Sequence, residues 1–135
     1  MSAPDGLPNE CVDALHRLRG TRETNTVILD YGHATGVLGL QVQVQGNLTH
    51  DELVRALPVH EARLVVHELR FADPDGARRN EHVLILWMPA AAAGQEAPYT
   101  AGYRALKDFL TGVHVHLTAR RVEHLAYRRL VALAG

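Results

Sequence analysis

The chain has 135 residues, 47% of them hydrophobic, and a formal charge of −1 at pH 7 with histidines neutral. That length predicts one domain over residues 1–135, large enough to bury a core without staples, and the single cysteine excludes an intrachain disulfide framework. Near-neutral charge argues against a dedicated nucleic-acid binder. Serine occurs once, at Ser2, inside a terminal segment 1–7 that reads as mobile, which argues against a serine-nucleophile hydrolase. Lysine also occurs once, at Lys107, which argues against Schiff-base chemistry. The N-terminus has no basic region followed by an apolar run. The longest apolar stretch, Val83 to Ala93, is interrupted by Pro89 and falls short of the roughly 18 residues of a membrane span. The expectation is a soluble cytoplasmic protein.

In chain order, Cys11, Ala14, Leu15 and Leu18 recur at helical spacing, with Gly20 placed to close the helix in the left-handed conformation. Thr26 to Tyr31 reads as a strand. Leu38, Leu40, Val42 and Val44 alternate with Gly39, Gln41, Gln43 and Gln45, which predicts a half-buried strand with one wet face. Thr49 and Glu52 form a capping box, Leu48 and Leu53 a hydrophobic staple, and Pro58 stops that second helix. Arg63 to Phe71 reads as a strand, and Asp73-Pro74-Asp75-Gly76 as a turn joining it to the next in an antiparallel hairpin. Val83 to Trp87 is apolar without alternation, as expected of a central strand covered on both faces. Ala90 to Ala93, between Pro89 and Gly94, reads as a loop. Tyr99, Tyr103, Leu106 and Leu110 form a helical stripe closed by Gly112. Val113, Val115 and Leu117 alternate with His114 and His116 as a strand. Val122, Leu125, Leu130 and Leu133 predict one last amphipathic helix. The order α β β α β β α β α gives an α/β fold, a mixed, mostly antiparallel sheet flanked by helices on both faces.

Candidate chemistry is sparse. His114-x-His116 offers two imidazoles on one strand face, short of the three or four ligands a zinc site needs, and partly exposed strand histidines are the favoured reading. Cys11 sits on an apolar helix face and reads as a small core residue. No phosphate-binding glycine loop and no local carboxylate dyad occurs. The pairs Arg120-Arg121 and Arg128-Arg129 read as a solvated face or a binding face. Full protonation of the nine histidines would raise the formal charge from −1 to +8, so charge-dependent binding is expected to vary with pH. No catalytic, metal or cofactor site emerges, and function is expected in a surface.

Several segments resemble the actin-depolymerising-factor homology family, over nearly the whole chain. They are Asn9-Glu10-Cys11-Val12 with Leu15 and Leu18-Arg19, Ala56-Leu57-Pro58 with Ala62-Arg63-Leu64-Val65-Val66, and Asp75-Gly76 with Val83 to Pro89 including Trp87-x-Pro89. Tyr99, Ala105-Leu106 and Leu110-Thr111-Gly112 complete the set. Where cofilins carry a Lys-Met pair before the tyrosine and a serine-rich basic stretch after it, this chain has Glu96-Ala97-Pro98 and Ala101-Gly102-Tyr103. Ala3 stands at the place of their regulatory serine, with Ser2 beside it. Arg22-Glu23-Thr24-Asn25, Asp51-Glu52-Leu53 with Ala56-Leu57-Pro58, and Ala101-Gly102 are similar to the glia maturation factor branch, although that branch often alters the Trp-x-Pro kept here.

The resemblance implies a monomeric, non-enzymatic regulator of the actin cytoskeleton without cofactors. In the glia-maturation-factor reading it binds the actin-related protein complex at filament branches, promoting debranching and inhibiting branch nucleation. The alternative is cofilin-like binding of actin monomers and filaments with severing and depolymerisation. Helix-in-groove binding would use Gly102, Tyr103, Arg104, Lys107, Asp108 and Thr111, with Ser2, Ala3, Pro4 and Asp5 alongside. Tyr103 has core packing as its competing role. A second surface would use Arg78 and Arg79 with Arg128 and Arg129.

Overall fold

Alternating apolar strands and capped helices fold into one central sheet. The computed structural model describes residues 7–20, 23–32 and 39–135. Helix α1 spans Asn9–Gly20, β1 Thr26–Gly32, β2 Gly39–Gly46, α2 His50–Ala56, β3 Arg63–Ala72 and β4 Arg78–Trp87. Then follow α3 at Glu96–Phe109, β5 at Val115–Ala119 and α4 at Tyr127–Ala134. The sheet has five strands in the order β2-β1-β3-β4-β5. Every pairing is antiparallel except β4 with β5, which is parallel. This is the mixed, mostly antiparallel sheet that the order of elements predicts.

Period-2 geometry sends successive side chains to opposite faces. On one face Val27, Leu29, Leu64, Val66, Leu84 and Leu86 meet α1 through Cys11, Leu15 and Leu18, and α3 through Leu106. On the other, Ile28, Val65, Val83, Ile85 and Trp87 meet Leu53 of α2 and Leu130 of α4. Each fully buried leucine, isoleucine or valine contributes about 1.5–3 kcal/mol relative to exposure. The Trp87 indole N–H donates to the Pro58 carbonyl at 2.7 Å, tying the chain after α2 to the end of β4. The capping box of α2 is complete: Glu52 N–H donates to Thr49 Oγ1 and Thr49 N–H to Glu52 Oε1. Cys11 is fully buried, and burial with Glu10 nearby pushes its thiol up to about 11, so it packs as a core residue.

Several sequence expectations need correction. Gly20 does not take the left-handed conformation; among the described residues only Gly76, in the β3–β4 turn, has a positive φ, 85°. Ala90–Gln95 is a 3-10 helix, not a loop, because Pro89 presents an extended N-cap and Ala92 packs into the core. The last helix is divided. Val122–Leu125 is a 3-10 turn, Ala126 is extended at φ −54° and ψ 135°, and α4 begins at Tyr127. The Leu125 carbonyl is bound to His50 Nε2 at 2.5 Å, and Arg129 N–H bonds the Ala126 carbonyl instead. Val122 and Leu133, counted as core, are 49% and 52% exposed. Val113 is buried but precedes β5. Leu38 lies outside the described residues, and Val42 and Val44 pack on opposite faces. A bulge between the pairs Ile28↔Val44 and Leu29↔Val42 leaves Gln43 as the extra residue and reverses the alternation. Leu7, assigned to the mobile terminus, is buried in the core at 4% exposure.

The second core holds one buried imidazole. The Asn25 amide is oriented by Leu48, whose N–H it accepts and whose carbonyl it donates to. The Thr26 hydroxyl donates to Asn25 Oδ1 at 2.7 Å, so its oxygen accepts from His67 Nδ1, also at 2.7 Å. That arrangement requires a proton on Nδ1, which the neutral Nδ1–H tautomer supplies. Burial pushes the His67 pKa down to about 4; His50, His82 and Arg70 add to the fall, and Glu68 opposes it. Protonating His67 is therefore harder in the folded chain than in the unfolded one. Its contribution is complete above pH of about 6.5 and is lost as pH falls through about 4. Urea unfolding at pH 7 and pH 4.5 should show a stability loss that includes roughly 2–3 kcal/mol from this residue. In His67→Gln the loss between the two pH values should be smaller by that amount; an equal loss in both proteins would assign the acid sensitivity elsewhere.

Candidate functional site

Helix α3 crosses the sheet with one stripe inward and one outward. Tyr99, Gly102 and Leu106 are buried, and the spacing of three and four residues keeps them on one face. Ala97, Ala101, Arg104 and Asp108 are exposed, and their spacing of four, three and four places them on the opposite face. Lys107 and Thr111 are exposed beside them. The outer face is therefore small and smooth in its first half and charged in its second. Tyr103 is half-buried against the core, and the Lys107 ammonium lies 5.6 Å from its ring centroid. It therefore packs against the core on one side and meets the Lys107 ammonium on another. Of the predicted set, Arg104, Lys107, Asp108 and Thr111 are at the surface. Gly102 is not: it faces Tyr31 and Leu64, so it serves the seating of the helix. Ser2, Ala3, Pro4 and Asp5 lie outside the described residues. Ala97 and Ala101 escaped the sequence reading because alanine carries no chemical signal; their helical register with Arg104 was the available clue.

The residues of the second predicted surface lie at the start of β4, Arg78 and Arg79, and on α4, Arg128 and Arg129. Arg78, Arg128 and Arg129 are exposed. Arg79 donates to Glu81 Oε1 at 2.8 Å and lies 5.5 Å from the Phe71 ring centroid, so it is already engaged. The Tyr127 hydroxyl donates to the Arg70 carbonyl at 2.6 Å, and an added Cβ at Gly135 would stand 3.9 Å from Phe71. The Tyr127 bond ties the start of α4 to β3. The hairpin also meets the end of α1 in an open groove of about 680 Å³, whose lining includes Arg19, Arg70, Arg78 and Arg79. Sequence reading missed Arg19 and Arg70, which lie 51 positions apart along the chain and meet only through the fold. Glu68 tempers the groove, accepting from Arg70 Nε at 2.7 Å.

His114 is exposed and precedes β5, while His116 is half-buried on β5. Burial lowers the His116 pKa, and the Lys107 charge and His114 lower it further. Among the described residues no group of three or more histidine, cysteine, aspartate or glutamate side chains could hold a metal ion. No helix among them is long and apolar enough to cross a membrane.

A mixed five-stranded sheet in the order β2-β1-β3-β4-β5, with α1 and α3 on one face and α2 and α4 on the other, is an α/β fold. The family model for cofilin/tropomyosin-type actin-binding proteins matches residues 6–133, and the chain belongs to that family. It is 28% identical over 87 residues to actophorin of Entamoeba histolytica, covering 64% of this chain and 62% of that protein. It is also 28% identical over 79 residues to actin-depolymerizing factor 5 of Oryza sativa subsp. japonica, covering 58% of this chain and 55% of that protein. Among solved structures, cofilin of Streptomyces griseoflavus superposes with a TM-score of 0.83 at 20% identity, covering 95% of each chain. Actin depolymerization factor 2 of Plasmodium berghei superposes at 0.79 and 17% identity, covering 98% of this chain and 97% of that one. These superpositions establish the fold.

The seating of α3 depends on Gly102. A Cβ there would stand 2.8 Å from the Tyr31 hydroxyl and 2.9 Å from Leu64 Cδ1. Tyr31 cannot yield freely: its N–H donates to the Tyr99 hydroxyl at 3.0 Å, and the two rings meet edge to face at 4.9 Å. Gly102→Ala should destabilise the chain by about 1–3 kcal/mol through overpacking. Chemical denaturation checks this, and an unchanged midpoint would show that α3 does not need the close approach.

Proposed function

We propose that this chain regulates actin filaments by binding, with no covalent chemistry, through the outward face of α3 laid into the cleft of an actin-fold subunit. The observation that carries this reading is the division of that face. Ala97 and Ala101 allow close backbone approach, and Arg104, Lys107 and Asp108 supply directional charge at the far end. Lys107 is held over Tyr103, which lowers the ordering cost of its contact. The arginine surface near the β3–β4 turn and α4 would meet a neighbouring subunit and strain the junction between the two. The family to which the chain belongs supports actin-type binding.

Two partners divide the finer reading. The glia-maturation-factor-like reading has the chain binding the actin-related protein complex at branches, promoting debranching and inhibiting nucleation. It is supported by the lack of any basic residue from Glu96 to Tyr103. The cofilin-like reading has it binding actin monomers and filaments and promoting severing and depolymerisation. It is supported by the names of the two curated relatives. Paired titrations against monomeric actin and the branch complex separate them: tighter binding to the complex selects the first, tighter binding to actin the second, and binding to neither removes both.

Arg104→Ala combined with Lys107→Ala should weaken whichever complex forms by about tenfold or more without lowering the melting temperature, because both side chains are exposed. Co-sedimentation and thermal unfolding read the two quantities; unchanged binding would take α3 out of the interface. Arg78→Ala combined with Arg79→Ala should leave binding at α3 intact and slow debranching or severing, as measured by filament microscopy.

A further inference from the structure

Among the described residues, β2 is an outer strand of the sheet, with no neighbouring strand on one side. Its stretch Leu40 to Gln45 reads Leu-Gln-Val-Gln-Val-Gln, without a charge, a proline or a glycine. Segments of that composition, left on a sheet edge, template the addition of another strand. Folded proteins blunt such edges with a bulge or an inward-reaching charge. Both devices are present. The bulge at Gln43 breaks the pleat in the middle of the stretch. Glu10, in the first turn of α1, reaches the edge, where its Oε1 accepts the Val42 N–H at 2.9 Å. A carboxylate on an edge donor makes a charge-assisted bond. It also occupies the position where an incoming strand must place its carbonyl.

We propose that Glu10 guards a latent self-association surface: with Glu10 in place the β2 edge is closed, and without it the Leu40–Gln45 edge pairs with the same edge of a second copy. The occupant follows from composition. Paired antiparallel about Gln43, two copies bring Gln43 against Gln43 and Gln41 against Gln45, whose side-chain amides bond one another, and no like charges oppose the approach. A charged peptide finds no complementary charge between Leu40 and Gln45. The guard is independent of the α3 surface and of which partner that surface takes.

Sedimentation velocity across rising concentration tests the proposal on the full chain. Glu10 is exposed, so Glu10→Ala leaves the core intact. The wild type should keep a single-chain mass where Glu10→Ala moves towards twice that mass, with self-association tighter by about tenfold. Adding Gln43→Lys should return Glu10→Ala to single-chain mass, because a lysine on the edge opposes strand addition. Single-chain mass for Glu10→Ala at every concentration would overturn the proposal. So would association that Gln43→Lys fails to reverse. Amide exchange in the wild type gives a reading that needs no variant: Val42 N–H should exchange slowly for an edge position, and exchange as fast as an open edge would also overturn it.

Discussion

Strands β3 and β4 are covered on both faces, and the remaining elements take their places from that. Their ladder runs ten pairs, from Arg63↔Trp87 to Ala72↔Arg78. Leu64, Val66, Leu84 and Leu86 require cover on one side, and α1 and α3 provide it. Val65, Val83, Ile85 and Trp87 require cover on the other, and α2 and α4 provide it. Neither core can be opened without exposing the backs of strands that also carry the other. The two layers are thus energetically coupled through one hairpin, and α3 rests directly on it.

The parts of this fold legible in the sequence are those whose cause is local. The capping box of Thr49 and Glu52, the turn at Gly76, and the uninterrupted apolar run of β4 each depend on neighbours within a few positions. The parts that were not legible depend on contacts far apart in the chain. The break before α4 reflects the bond from the His50 ring to the Leu125 carbonyl, 75 positions away, and no periodicity around Leu125 encodes it. The bulge at Gln43 is invisible in a strand whose letters alternate without fault. The candidate site divides the same way. The helical register of Arg104 and Lys107 was readable, whereas the inward turn of Gly102 depends on Tyr31 and Leu64 across the sheet. The meeting of Arg19 and Arg70 with the hairpin arginines likewise needs the closed fold.

Near-zero net charge conceals this arrangement. The arginines near the hairpin are partly matched in place, Arg70 by Glu68 and Arg79 by Glu81. Exposed pairs of this kind contribute little to stability, about 0–1 kcal/mol each, so their larger effect is to hold guanidinium groups in defined directions. Arg78, Arg128 and Arg129 are exposed. Whole-chain charge excludes a strongly basic binder, yet it says nothing about a surface on which positive groups are collected at one end and the compensating carboxylates lie inside the same cluster.

The distance between the two surfaces bears on how binding could do mechanical work. A strand of ten residues is about 33 Å long, and a helix of 14 residues about 21 Å. α3 lies on the sheet and the hairpin arginines lie at one end of that sheet, so on the proposed reading a partner held at both surfaces is gripped by one body. That body is stiff, since each of its two central strands is hydrogen-bonded on both sides and packed above and below. When two adjoining subunits do not match the fixed spacing between the surfaces, the mismatch is taken up where packing is weakest. On the proposed reading that place is the junction between the subunits, because bending the five-stranded sheet would disturb both cores together.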